Sequence, residues 1–570
     1  MRKLLAALVA LAMFLPSGVL AATIDELQAK IDALNAELSD LSDRVDKNER
    51  HTALDRINWY GDMRVKANTL HYNELTWNPG VMVDFDDFAI NAMAGNFGSP
   101  VDPNSPLGAM LANYPNMAMA FNNGMVSGVG GFSMLGLDMG VAPNVKDMDN
   151  NVLYTTRVRL GMKAKVAKNV NFSGRLSMYK NWGDSTGVKV FDSWDAFTMD
   201  GTDGGNTSGD FMRVERAYFD WKNIGGSNFY LSIGRRPSTY GPPSQYRENE
   251  MRGGTPSGHL VHFNFDGITT GYKLSKLTGV EGQTVRFCYG QGYESKVGNG
   301  ELFNNTTTKD THLGGFNVDL INDGTNFVQL TAFAAQDVSD GFKGTFAFPT
   351  VFANLFQLDM ASDLNMFPNM NFVTRYQPST VIGDMKLGGI GFAREEWSGL
   401  SYFASLGWTR LESNGKAGMF GGMGSDQLYK MADVGGQLMP VPTGMTVNSD
   451  KHDGYGIYTG VQIPAPMGKL GLEYNYGSRY WTPFTQGADD MLGSKLATRG
   501  QVFEGYYVFD VNPNMFIKLA GLYYDYEYTG SGFPIGTPHK VEDVLSGKAF
   551  TMMPVADSAW DGNIALTVKF

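Results

Sequence analysis

The sequence predicts an all-β fold: a transmembrane antiparallel up-and-down β-barrel of about 16 strands, preceded by a short α-helical coiled coil. Three observations carry this. Apolar and polar residues alternate over most of the chain, the connections alternate between short and long, and no uncharged apolar run of membrane-spanning length follows the N-terminus. Composition agrees. The 570 residues are 43% hydrophobic, only 18% charged and 12% aromatic, with 70 glycines, and the mean hydropathy is -0.22. Apolar residues this dispersed exclude a bundle of transmembrane helices. One cysteine excludes a disulfide framework and any metal site built on several thiolates. A net charge of -12 and a pI near 5.1 exclude nucleic acid as a partner.

Residues 1–22 read as a secretory signal. Arg2 and Lys3 precede the apolar run Leu4 to Leu15, and Val19-Leu20-Ala21 follows the helix-breaking Pro16-Ser17-Gly18 as a cleavage site. Export across a bacterial inner membrane is the expectation. Residues 23–50 then carry Ile24, Leu27, Ile31, Leu34, Leu38, Leu41 and Val45 at alternating spacings of three and four, the a/d seam of a coiled coil. With one apolar stripe and nothing else to bury, this helix is expected to self-associate between subunits in the periplasm.

From residue 56 to 570 the period is two. Ile57, Trp59, Met63, Val65 and Ala67 alternate with Asn58, Tyr60, Asp62, Arg64 and Lys66, and Ile564, Leu566, Val568 and Phe570 alternate with Asn563, Ala565, Thr567 and Lys569. Short connections such as Asn322-Asp323-Gly324 and Asn512-Pro513 alternate with long ones at 71–150, 183–210, 237–257, 293–310, 339–383, 414–451, 482–499 and 530–557. This parity requires residues 258–275 to be one strand running through Asp266-Gly267. It is the signature of an outer-membrane barrel rather than a soluble sandwich. An even strand count returns both ends to the short-turn, periplasmic side. Phe570 closes an alternating apolar last strand, the feature that the outer-membrane assembly machinery of Gram-negative bacteria generally recognises in such barrels. Trp59, Trp182, Trp221, Trp408, Trp481 and Trp560 lie near strand ends, where an aromatic girdle is expected.

Arg216-Ala-Tyr-Phe-Asp-Trp221, Gly234-Arg-Arg-Pro-Ser238, Gly241-Pro-Pro243 and Gly253-Gly-Thr-Pro256, followed by Phe265-Asp-Gly267, resemble an uncharacterised family of Gram-negative outer-membrane porin-like proteins. The resemblance is most specific over 211–275. It implies the layout of signal peptide, periplasmic coiled coil and barrel, and a porin-like role with no particular solute. Coiled coils of this kind also occur in trimeric porins, which implies a homotrimer held by coil and barrel wall.

With apolar faces toward lipid, the polar faces line a lumen carrying Arg64, Lys66, Arg157, Arg159, Arg175 and Arg216, which points to passive diffusion of small hydrophilic solutes with a preference for anions. The third long loop, with Arg236 at its edge and Arg247, Glu248, Glu250 and Arg252 within it, is the expected constriction. The first long loop holds nine methionines (Met82, Met93, Met110, Met117, Met119, Met125, Met134, Met139 and Met148), apolar surface that is expected to fold over or into the barrel or to dock a partner. No catalysis, cofactor or metal is expected. There is no His-Glu-x-x-His and no Cys-x-x-Cys-His; Asp200, Asp203, Asn206 and Asp210 lack a calcium-loop spacing. A lipase would need a serine and a histidine on one lipid-facing patch, and the close pair His259 and His262, three apart, alternates to opposite faces of a strand. Two other readings remain open: a sheath around a separate cytochrome in an electron conduit, and a surface-layer anchor or adhesin.

Overall fold

The computed structural model describes residues 31–40, 57–76, 145–182, 212–237, 258–262, 264–296, 308–340, 342–347, 372–376, 378–397, 399–418, 421–434, 437–485, 490–549, 551 and 555–570. The chain divides into two units, residues 1–58 and 59–570. In the first, residues 31–40 are helical, with Ile31, Leu34 and Leu38 of the expected seam exposed. Ile24, Leu27, Leu41 and Val45 lie outside the described residues.

The second unit is a closed antiparallel barrel in which every strand pairs with its neighbours in sequence. In chain order the strands are β1 (Ile57–Thr76), β2 (Val145–Ala167), β3 (Val170–Asn181), β4 (Arg213–Trp221), β5 (Phe229–Arg236), β6 (Phe265–Lys273), β7 (Thr284–Tyr293) and β8 (Thr311–Asn322). They continue as β9 (Asn326–Ser339), β10 (Val381–Trp397), β11 (Leu400–Ser413), β12 (Lys451–Ala465), β13 (Gly468–Gly477), β14 (Gly500–Asn512), β15 (Met515–Tyr526) and β16 (Ser558–Lys569). The sixteen strands match the expected number.

Closure is made by β1 against β16, in register from Asp62↔Lys569 to Asn73↔Ser558. A last pair of backbone hydrogen bonds links Gly61 and Phe570, 2.8 and 2.9 Å. Gly61 is needed there because a Cβ would lie 2.6 Å from both the Phe570 ring and the Arg159 carbonyl oxygen.

The outer face is apolar. Trp59, Met63, Ile564, Leu566 and Val568 are exposed, while Arg64, Lys66 and Asn68 on the alternate positions of β1 are buried inside. An apolar exterior around a polar interior is what a barrel needs to cross hydrocarbon with no free strand edge. Trp59 and Trp221 mark the short-turn end of this belt, and Trp182 and Trp560 the long-loop end.

Three expectations are corrected. The strand expected at 258–275 is shorter, because β6 begins at Phe265. Asp266 and Gly267 do lie inside it, paired with Arg235 and Gly234. Trp481 belongs to no girdle, being fully buried in the interior. The inward face is also not polar throughout. Leu313, Phe333, Ala335, Val338, Ile382, Met385, Leu387 and Leu411 on β8–β11 point inward and form an apolar core with loop residues Leu260, Trp481, Phe484, Phe533 and Ile535. The reason is that long loops fold back into the barrel, so the strands there must offer them an apolar surface.

Replacing Gly61 with Val is expected to overpack the closure and cost about 1–3 kcal/mol. The check is a lower midpoint in the heat-dependent shift of electrophoretic mobility that separates folded from unfolded barrel.

Candidate functional site

Among the described residues the interior holds, besides the apolar core, a charged zone on β1–β4, a second on β13–β15 and a loop that reaches both. The first zone follows from alternation on β1 and β2, which places Asp62, Arg64 and Lys66 on the same face as one another and Arg157 with Arg159. Asp62 accepts from Arg159 Nε at 2.7 Å and from Arg157 Nη2 at 3.3 Å. On β3 and β4, Arg175 pairs with Arg216 but Leu176 pairs with Val214, so Glu215 is the extra residue of a bulge. A bulge lets two consecutive side chains face the same way. Glu215 is wholly buried, accepts from Arg175 Nε at 2.7 Å and through a second bond from Nη2, and lies 3.6 Å from Arg216 Nε. Arg64, Lys66, Arg157, Arg159, Arg175 and Arg216 thus form one inward strip over four adjacent strands, with Asp62 and Glu215 set among them. Alternation would have added Asp62 to the sequence-derived set. It could not have added Glu215, which it assigns to the opposite face from Arg216.

The seventh long connection, residues 478–499 (L7), crosses the interior. At one end Trp481 lies over Gly407, Gly456 and Gly477 on the inner wall, the middle of a row in which Gly389, Gly407, Gly456, Gly477 and Gly500 stand opposite one another on β10, β11, β12, β13 and β14. A Cβ at Gly456 or Gly477 would come within 2.5 Å of the indole. The indole Nε1–H donates to the Leu496 carbonyl at 2.8 Å. At the other end Met491 meets the Tyr179 hydroxyl, 3.7 Å from Sδ. Tyr179 is on β3, half the circumference away from β11. L7 therefore spans the lumen from wall to wall.

The second charged zone holds L7 in place. Lys495, on a single helical turn of L7, donates to Glu473 of β13 and, at 2.5 Å, to Glu504 of β14. Glu473 also accepts from the Tyr458 hydroxyl at 2.6 Å, and Glu504 from Lys518 at 3.1 Å. Lys495, Glu473 and Glu504 are all buried, a network in which every charge lies against an opposite one. Arg499 closes the loop, donating to the carbonyls of Trp481, Thr529 and Phe533 and to the Thr482 hydroxyl. Burial pushes its pKa down, and that ring of oxygens keeps the guanidinium charged.

Of the residues expected at a constriction, Arg236 is described and is tied to the wall, with Nε 2.8 Å from Ser232 Oγ and Nη1 bonded to Thr269. Arg247, Glu248, Glu250 and Arg252 lie outside the described residues. The end of that same third loop does enter the interior: Val261 and His262 pair in parallel with Phe484 and Thr485 of L7, and the Phe484 N–H donates to Leu260. His259 and His262 are both buried there rather than on the lipid face. Burial lowers the His259 pKa to about 3, which leaves the ring neutral beside Ser405. Met148 of the first loop's expected methionines lies on β2 and packs near Leu70 and Tyr72; Met82, Met93, Met110, Met117, Met119, Met125, Met134 and Met139 lie outside the described residues, as do Asp200, Asp203, Asn206 and Asp210. Among the described residues no group of three or more His, Cys, Asp or Glu could hold a metal ion.

A family described as "Protein of unknown function (DUF3373)" matches residues 147–570, from within β2 to the C-terminal residue. The chain belongs to the DUF3373 family. No curated protein is similar enough to count as a match. Solved structures similar in outline include OmpF of Salmonella typhi in complex with daunomycin, 8% identical with a TM-score of 0.37, over 90% of this chain and 97% of that one. OmpT, an outer membrane protein of Vibrio cholerae, is 10% identical with a TM-score of 0.37 over the same shares. OprB of Pseudomonas putida is 10% identical with a TM-score of 0.35, over 92% of this chain and 96% of that one. The architecture of this DUF3373 chain rests on its own strand pairing.

Lys495→Met is expected to leave Glu473 and Glu504 buried without their shared cation, at a cost of about 3–5 kcal/mol. Faster protease cleavage and faster amide exchange within 478–499, with the barrel strands still protected, are the readouts.

Proposed function

We propose that this DUF3373 protein is an outer-membrane channel for passive diffusion of small hydrophilic solutes, with a preference for anions and with L7 as its constriction. The observation that carries the reading is the inward strip of Arg64, Lys66, Arg157, Arg159, Arg175 and Arg216 inside a barrel with an apolar exterior. Fixed cations in a narrow, low-dielectric passage raise the local concentration of anions. Asp62 and Glu215 keep the arginines extended and in register while leaving cations in excess among these eight side chains. Diffusion needs no chemistry, cofactor or metal. The apolar belt around the closed barrel supports insertion in the outer membrane, with the short turns and the coil in the periplasm. The heptad pattern supports self-association between subunits without fixing their number, and a homotrimer is the assembly proposed.

Planar-bilayer recordings of the purified protein across a salt gradient should give a reversal potential of anion-selective sign. Arg157→Glu with Arg159→Glu is expected to reduce that selectivity severalfold, and Asp62→Asn to increase it. Cation selectivity in the unsubstituted protein would remove the basic-strip reading.

A further inference from the structure

The outer wall carries an arrangement that diffusion does not use. Near the long-loop end of β1, Thr69 and His71 stand two residues apart and so face the same way, outward. The Thr69 hydroxyl oxygen is 2.8 Å from His71 Nε2, and Nδ1 of the same ring is 2.6 Å from Oδ1 of Asp149 on β2. A carboxylate only accepts hydrogen bonds. The ring proton therefore belongs on Nδ1, donated to Asp149, which leaves Nε2 to accept from the Thr69 hydroxyl. Trp560 of β16 holds the imidazole in this orientation, stacked at 3.8 Å between centroids and 9° between planes. Across the β1–β16 ladder the partner of Thr69 is Gly562. A Cβ at Gly562 would sit 3.1 Å from the Thr69 methyl, so glycine keeps the wall beside the hydroxyl clear.

We propose that Thr69, His71 and Asp149 form a nucleophile, base and orienting carboxylate that hydrolyse carboxylic esters at the membrane surface, the substrate class being acyl esters of membrane lipids. An alcohol is a weak nucleophile until a positioned base takes its proton, and a carboxylate on the far nitrogen fixes the tautomer that can do so. In the first step Nε2 takes the Thr69 proton as Oγ1 bonds to the ester carbonyl carbon, and the carbonyl π pair moves to its oxygen. When that pair returns, the bond to the ester alcohol breaks and the departing oxygen takes the proton from Nε2. Water repeats the sequence on the acyl-threonine: Nε2 takes its proton, its oxygen bonds to the carbonyl carbon, and the Thr69 oxygen leaves with that proton. Ester and water become acid and alcohol, with no other reactant. Asp149 touches no substrate and is a positioning residue.

The height of the site selects the class. About ten residues of strand separate Trp59 from Thr69, roughly 25 Å along the membrane normal at ~3.3 Å per residue and a tilt of ~40°. That is the thickness of the apolar band, so Thr69 lies where lipid esters lie. Below it, toward the short turns, Ile564 and Leu566 are exposed on the outer face, a surface for acyl chains. The site faces away from the lumen and does not rest on the channel reading.

The test is hydrolysis of p-nitrophenyl palmitate in detergent micelles by the purified full-length chain, with each variant first shown to be folded by heat-dependent gel mobility. Thr69→Val and His71→Gln are expected to lower the rate about a hundredfold or more. Thr69→Ser, a less hindered hydroxyl in the same place, is expected to match or exceed the unsubstituted rate, a rescue that a merely structural threonine would not show. Asp149→Asn is expected to lower kcat by about a hundredfold or more, because it admits the wrong tautomer, and to change the acid limb of the pH–rate profile. No hydrolysis by the unsubstituted protein above the Thr69→Val background would overturn the proposal, as would a Thr69→Ser variant as inactive as Thr69→Val.

Discussion

A sheet cannot leave a row of backbone N–H and C=O groups unpaired at its edges without cost, least of all where no water reaches them, and the closed barrel removes both edges. The first and last strands must find each other, which they do from Asp62↔Lys569 to Asn73↔Ser558. Closing the ladder fixes which face of each strand is inside. From that point the period of two decides everything else: one set of alternate residues must suit lipid, and the other set shares a confined interior.

That interior is solved differently on its two sides. On β1–β4 it is filled with charge, and the charges are made tolerable by Asp62 and Glu215, each shared between arginines. On β8–β11 it is apolar toward the long-loop end, because loops return there and need a surface to pack on. L7 joins the two regimes. Its Trp481 lies over the glycine row, its Lys495 needs two glutamates, and its Met491 reaches the wall at Tyr179. A loop held by an aromatic anchor, a buried ion network and an arginine clamp behaves as part of the wall rather than as an external strap.

Much of the barrel was legible in the sequence, since alternation is a local property and a turn such as Asn322-Asp323-Gly324 announces itself. The inward direction of Arg64, Lys66, Arg157 and Arg159 came from the same period. What was not legible depends on where distant segments meet. Trp481, next to a strand end, reads as a girdle residue until the glycines of five strands are brought into a row. Glu215 needs the bulge that turns it inward. The Thr69–His71 spacing is plain in the sequence, but Asp149 lies beyond the connection 77–144, and only the ladder brings β2 beside β1.

The bridge between Val261–His262 and Phe484–Thr485 has a consequence for the order of assembly. Its two halves lie far apart in the chain, and the ladder between them forms only when the segments that precede β6 and β14 have both reached the interior. Loop closure over such a separation is slow, because its entropy cost comes before any contact repays it. The wall can therefore zip strand by strand from short hairpins, while the interior sets last, in a newly closed barrel that is still empty at its centre.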